Sequence, residues 1–275
     1  MALGALCVVP LMYLLLTLGA EALQYVLSVL FVGLATMLMV EGVREGRVAR
    51  DRTIAMLLIF AFNILFWMFY EQAGNSFTFL ADQIVNRDLG GFIFPTAWFQ
   101  SVPALAVIVL APVAAWLWLW LAKRNANPSI PRKFGLGLVF NGLAFLLLMF
   151  ALTNLVSDAG KIPFWTLLAV YVIQVVGELC LSPIGLSMVT KLAAEKETGM
   201  AMGGWFLSIA MAQYVAGIIA AIASGGSGDG HGPALGASIT QYSDTYWMLF
   251  LIGLGFGVVY LVVAPLINKL MHGVK

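Results

Sequence analysis

The sequence predicts an all-α, polytopic membrane protein, and three observations carry that reading. Of its 275 residues, 62% are hydrophobic and only 10% charged, and the mean hydropathy of +0.98 lies far above that of a soluble domain. Apolar stretches of roughly 20 residues or more recur along the chain, each long enough to cross a hydrocarbon core of about 30 Å as a helix. The short alternating strands that a closed β-barrel would need are not visible.

Eight spans are expected, at 3–18, 23–43, 54–85, 97–122, 134–152, 163–192, 200–223 and 245–270. The first is the shortest. It lacks the positively charged start of a secretory signal, and no convincing small-residue cleavage site follows it, so it is read as retained. The second is a predominantly apolar run. The third carries Glu71 on a stripe with Asn63, Trp67, Asn75 and Thr78. The fourth contains Pro103 and Pro112, which read as membrane kinks or as bends lining a cavity. The fifth is a predominantly apolar run. The sixth places Tyr171, Gln174, Glu178 and Ser182 at offsets of three or four residues, hence on one face, and Pro183 puts a bend one turn beyond Glu178. The seventh opens with Gly203, Gly204 and Trp205, an indole that suits either an interface anchor or a cavity wall. In the eighth, Gly253, Gly255 and Gly257 read as small residues permitting close helix packing.

Lys and Arg resist translocation and collect in cytoplasmic loops. Of the fourteen here, twelve (Arg44, Arg47, Arg50, Arg52, Lys123, Arg124, Arg132, Lys133, Lys191, Lys196, Lys269 and Lys275) mark every second connection. The other connections hold only Arg87 and Lys161. This bias places the 44–52 loop and the C-terminus on the cytoplasmic side of the plasma (inner) membrane, with an even number of crossings between them. With 3–18 and 23–43 both crossing, the N-terminus is cytoplasmic as well.

The net charge of +1 therefore hides strong segregation, and it argues against a nucleic-acid partner, which would need a basic face outside the membrane. Cys7 and Cys180 lie in apolar runs, where a free thiol behaves as a small hydrophobe. His231 sits in the Gly-rich segment 225–232 beside Asp229, too few ligands for a metal site, so no metal is expected. An enzyme is disfavoured too: no nucleophile–base pair or phosphate-cradling loop is present, and Gly-x-Gly matches such as 253–255 fall in an apolar span.

Of the thirteen acidic residues, only Glu71 and Glu178 fall near the middle of a span, where a charge costs about 2.5 to 3.5 kcal/mol on insertion scales. Two readings stand. Either each is a protonated hydrogen-bond donor joining helices, or one or both exchange protons during a working cycle. No Lys or Arg of this chain occupies a mid-membrane position to pair with them.

Four motifs in order resemble the proton-dependent oligopeptide transporters of the major facilitator superfamily over roughly residues 50 to 270. Phe66-Trp67 with Glu71-Gln72-Ala73-Gly74-Asn75-Ser76 resembles that family's seventh helix, and Phe99-Gln100-Ser101 followed by Leu110-Ala111-Pro112 and Ala115-Trp116 its eighth. Glu178-Leu179-Cys180-Leu181-Ser182-Pro183-Ile184-Gly185 is similar to the tenth, and Met202-Gly203-Gly204-Trp205-Phe206 to the start of the eleventh. The resemblance implies a C-terminal six-helix bundle, residues 44–275, preceded by a helical hairpin, residues 1–43, like the linker helices of bacterial members. It implies that Glu71, with Pro183, serves gating and proton coupling. It also implies that Glu178 binds the peptide amino terminus, with Ser182, Trp205, Gln100 and Asn75 around the same cavity.

Two departures accompany the likeness. The family's N-terminal bundle and its basic residues are absent from these 275 residues, and Pro103 stands where the family usually has an Asn that contacts peptide. The function expected is half of a proton-coupled di- and tripeptide symporter. Its partners are small peptides, the lipid bilayer and a separate N-terminal six-helix bundle, and protons are the coupling ion, with no other cofactor. The alternatives are a half-porter for another solute such as a drug, and a non-transporting remnant or membrane interaction protein.

Overall fold

A chain solvated by lipid must satisfy its backbone polar groups internally, which leaves helices as the economical solution for long apolar runs. The structure, a computed structural model, describes residues 20–223 and 235–274, with Pro10, Tyr13 and Thr17 as isolated positions before them. The side chains at 20, 21, 182, 183 and 235–238 lie outside the described set. So do most of the expected first span 3–18, Cys7, and the Gly-rich segment with His231.

The described helices are α1 (Ala20–Glu45), α2 (Arg47–Tyr70), α3 (Ser76–Gln83), α4 (Val102–Lys123), α5 (Ile130–Asn154), α6 (Phe164–Leu192), α7 (Thr198–Ala223) and α8 (Leu235–Leu270). Short 3-10 turns at Glu71–Ala73, Thr96–Ser101 and Glu195–Glu197 precede α3, α4 and α7. Taking α2 with α3, seven helical segments are long and apolar enough to cross a membrane, and they coincide with the second to eighth expected spans. The protein is thus an all-α, multi-pass membrane protein. Three boundaries differ from expectation. The third span is interrupted at Glu71. The eighth helix starts ten residues before the expected 245, at Leu235. Pro103 lies in the first turn of α4, where no backbone N–H is required, rather than inside the span as a kink.

The packing is anchored by helices that touch backbone to backbone. Helix α5 runs against both α8 and α6. A Cβ at Gly142 would lie 3.1 Å from the Leu254 nitrogen, and one at Gly257 2.8 Å from Cγ2 of Val139, so Gly253 and Gly257 do permit close approach, whereas Gly255 faces open space. Between α5 and α6, a Cβ at Gly137 would meet the Gly177 carbonyl at 2.9 Å, and a Cβ at Gly177 the Gly137 carbonyl at 2.8 Å. Backbone cannot yield as a side chain can, so Gly177→Val is expected to destabilise the bundle by several kcal/mol, above the usual range of about 1 to 3 kcal/mol for overpacking. Thermal unfolding of the detergent-solubilised chain, followed by circular dichroism, checks this against Gly255→Val, which should be nearly neutral.

Elsewhere the contacts run through side chains. Phe77, Phe145, Tyr171 and Tyr246 form an edge-to-face cluster where α3, α5, α6 and α8 meet. Helix α1 turns into α2 at Gly46, whose φ of 108° suits only glycine. It packs on α2 and α7, with Leu34 beside Gly204 and the Tyr214 hydroxyl donating to Oε1 of Gln24 at 3.1 Å. By contrast, only 6% of the membrane window of α4 is buried by the chain, so Leu105, Ile108, Val109 and Trp116 face outward as lipid-solvated surface.

Candidate functional site: the interrupted helix and its two acids

Gly74 and Asn75 are poor helix formers, and Asn75 leaves helical geometry altogether at φ −109°, ψ −103°. Helix α2 therefore stops at Tyr70, the chain makes a 3-10 turn, and α3 restarts at Ser76. Such an interruption disturbs the carbonyl ladder inside an apolar environment, and the surrounding polar side chains supply donors. Asn141 Nδ2 donates to the Phe66 carbonyl at 3.4 Å and Gln174 Nε2 to that of Phe69 at 3.2 Å. Gln72 Nε2 donates to Met68 O and across to Ala216 O of α7, both at 3.1 Å. Ala73 O accepts from Gln100 Nε2 at 2.7 Å and from the Tyr171 hydroxyl at 3.1 Å. Asn75 Nδ2 returns to the Glu71 carbonyl at 2.8 Å.

Two acids flank this interruption. Glu178 of α6 is partly exposed, and its Oε2 accepts a hydrogen bond from the Tyr70 hydroxyl at the last residue of α2. Glu71 begins the 3-10 turn, also partly exposed, and its Oε1 accepts from Gln213 Nε2 of α7 at 3.4 Å. Among the described residues neither has an ion-pair partner; the ion pairs lie nearer the helix ends, for example Lys196 with Glu45 at 2.8 Å and His272 with Asp51 at 3.0 Å.

The remaining residues singled out from the sequence divide. Gln100 and Asn75 sit at the interruption, but their amides are engaged with Ala73 O and Glu71 O. Trp205 is 4% exposed and lies across Gly185, where a Cβ would come within 2.3 Å of its Cη2. That contact is seven residues along α6 from Glu178. The side chains of Ser182 and Pro183 are outside the described set.

The polar faces also differ from the stripes expected. Tyr171 and Gln174 do not share an open wall with Glu178: both are buried against the interrupted helix. Asn63 is likewise fully buried, donating to Ser208 Oγ of α7 at 2.7 Å. Two participants went unnoticed in the sequence, Tyr70 and Gln213. A tyrosine immediately before a mid-span acid was the available signal for the first; the second lies on an α7 turn with no motif to mark it.

A multi-helix membrane bundle that presents two uncompensated acids beside a broken helix is the architecture of a secondary transporter. The profile described as "PTR2: POT family" matches residues 27–238, and the chain belongs to that family. "Uncharacterized transporter YclF" of Bacillus subtilis is 33% identical over 253 residues, 90% of this chain and 47% of that protein. "Peptide transporter YePEPT" of Yersinia enterocolitica is 36% identical over 178 residues, 64% of this chain and 35% of that one. A crystal structure of peptide transporter POT in complex with sulfate aligns at TM-score 0.77 and 31% identity, over 99% of this chain and 53% of that one. A POT family transporter in complex with 5-aminolevulinic acid aligns at TM-score 0.73 and 26% identity, over 97% and 52%. The chain spans about half the length of the curated relatives it matches.

Proposed function

We propose that this chain forms the C-terminal bundle of a proton-coupled di- and tripeptide symporter, working against an N-terminal six-helix bundle outside these residues. Residues 44–275 are the bundle and 1–43 the hairpin beside it. The observation that carries the reading is Glu178: a partly exposed carboxylate that accepts a hydrogen bond from the Tyr70 hydroxyl and, among the described residues, has no cation of its own. A peptide ammonium is the counter-charge this geometry suits, with Ser182, Trp205, Gln100 and Asn75 forming the surrounding site. Glu71, at the helix interruption and tethered to α7 by Gln213, is the proton-coupling group, and Pro183 contributes to gating. Protons are the coupling ion, and no other cofactor is invoked. The protein resides in the inner (plasma) membrane with both termini cytoplasmic, as the Lys and Arg distribution supports.

Major facilitator sites lie between two bundles, and alternating access is the rocking of one against the other. Proteoliposomes holding this chain together with a matching N-terminal bundle are therefore expected to accumulate a labelled dipeptide under an inward proton gradient. Those holding the chain alone are expected not to. Uptake of a non-peptide drug without competition by dipeptides would refute the substrate assignment, and accumulation by the lone chain would make it a homodimeric porter instead.

The contact between Tyr70 and Glu178 has its own test. Tyr70→Phe retains the ring that packs on Phe66 and Trp67 and removes only the donor. One hydrogen bond contributes about 0.5 to 1.5 kcal/mol, so dipeptide affinity in the assembled transporter should fall roughly 3- to 10-fold with thermal stability little changed. Competition binding against a labelled dipeptide measures this.

A further inference from the structure

At the end of the bundle that carries most of its Lys and Arg residues, a cavity of about 750 Å3 opens between the first turn of α5, Ile184 of α6 and the C-terminal end of α8. Its lining includes Asn127, Ser129, Arg132, Lys133 and Asn268 and, among the described residues, no Asp or Glu side chain. Lys133 is only 6% exposed, yet among the described residues it has no anionic partner. Its Nζ lies 4.2 Å from the centre of the Trp118 ring. A cation–π contact contributes about 0.5 to 2 kcal/mol, whereas burying an ammonium costs several kcal/mol unless it is paired.

The neighbouring donors are also unspent. Ser129 is the N-cap of α5 but makes no side-chain capping bond, and its buried Oγ has no hydrogen-bond partner among the described residues. The first-turn N–H groups of α5 at Ile130 and Arg132 lack intrahelical acceptors, and the helix dipole places partial positive charge at the same point. The cavity is thus lined by residues that carry an ammonium without an anionic partner among the described residues, a guanidinium, a hydroxyl, two amides and a helix N-terminus. A tetrahedral, multiply charged acceptor satisfies such a set better than a carboxylate, because its oxygens can meet donors from several directions at once.

We propose that this cavity binds a phosphate-bearing anion, with Lys133 as the buried counter-charge and Ser129, Arg132 and the α5 N-terminus as its donors. The phosphate can come from the headgroup of an anionic phospholipid in the adjacent leaflet or from a soluble phosphate. A space of this volume accommodates either, and basic pockets between membrane helices commonly hold acidic headgroups. The site stands apart from Glu71 and Glu178, neither of which lines it.

The full 275-residue chain, purified in a neutral detergent, tests the proposal by native mass spectrometry with added phosphatidylglycerol, with phosphatidylcholine as the zwitterionic comparison, and separately with inorganic phosphate. One phosphatidylglycerol is expected to be retained per chain in preference to phosphatidylcholine, and Lys133→Met, which keeps the contact with Trp118, should weaken retention tenfold or more. Because Lys133 is buried, the double variant Ser129→Ala, Arg132→Gln serves as the second arm. Its partly and fully exposed positions can change without disturbing the core, and it should weaken retention severalfold at unchanged helicity. Displacement of the lipid by inorganic phosphate identifies a soluble-anion site, and lipid retention that phosphate does not displace identifies a headgroup site. Equal retention of both lipids, unaffected by either variant and without phosphate binding, overturns the proposal.

Discussion

Replacing Glu71 with Gln, in a complete transporter carrying this bundle, is expected to abolish peptide accumulation driven by a pH gradient while leaving counterflow exchange measurable. Glu71 begins the turn that interrupts the seventh-helix equivalent and reaches α7 through Gln213. The amide keeps the side chain's shape but cannot carry the proton. Each coupled proton moving down one pH unit contributes about 1.4 kcal/mol, enough for roughly tenfold accumulation. Without it the internal-to-external ratio should settle near one. Exchange of labelled for unlabelled dipeptide need not cycle the proton site, so it should persist. Proteoliposome uptake at imposed pH gradients, with counterflow measured in parallel, makes the comparison; gradient-driven uptake at the unmodified rate would leave Glu71 a structural residue.

The second large effect falls on binding. Glu178→Gln removes the carboxylate while preserving an acceptor for the Tyr70 hydroxyl. A charge-assisted hydrogen bond is worth about 1.5 to 3 kcal/mol, so affinity for a dipeptide with a free amino terminus should fall roughly 10- to 100-fold. An N-acetylated dipeptide, lacking the ammonium, should show little difference between the two proteins. Equal losses for both ligands would mean that the substitution disturbs the fold rather than the charge pair. Thermal unfolding of the variant separates the cases independently, because the isosteric amide fits the same space.

The transmembrane spans were legible because a lipid-crossing helix must be apolar for about 20 residues whatever its neighbours are. That requirement does not extend to boundaries. Helix α8 continues through Ser243, Asp244 and Thr245 because, once a helix is nucleated, propagation tolerates polar residues, here with Ser243 and Thr245 buried against the bundle and only Asp244 exposed. The interruption at Glu71 was hidden by the hydrophobicity that runs on from α2 into α3, although Gly74 and Asn75 marked it in composition. Periodicity also misled at α6. Tyr171, Gln174 and Glu178 share spacing, yet the first two are consumed by the backbone of α2 and the following turn, so polarity within a membrane span signals a hydrogen-bonding need that either a cavity or a neighbouring helix can meet. The acids themselves were legible because a charge at that depth requires a reason. Tyr70 was not, since a tyrosine in an apolar run is consistent with packing, an interface or a site.

The side chains gathered around the interrupted helix also determine how the bundle deforms. Asn141 of α5, Gln174 and Tyr171 of α6, and Gln100 from the turn before α4 bond the Phe66, Phe69 and Ala73 carbonyls, and Gln72 reaches Ala216 of α7, so the broken segment is fastened to four separate neighbours. A joint clamped from so many directions does not pivot cheaply, because any change of angle must surrender several of these bonds together in a medium that offers no water to replace them. The bend therefore behaves as a weld. Load reaching α3 is distributed at once into α5, α6, α7 and the turn before α4.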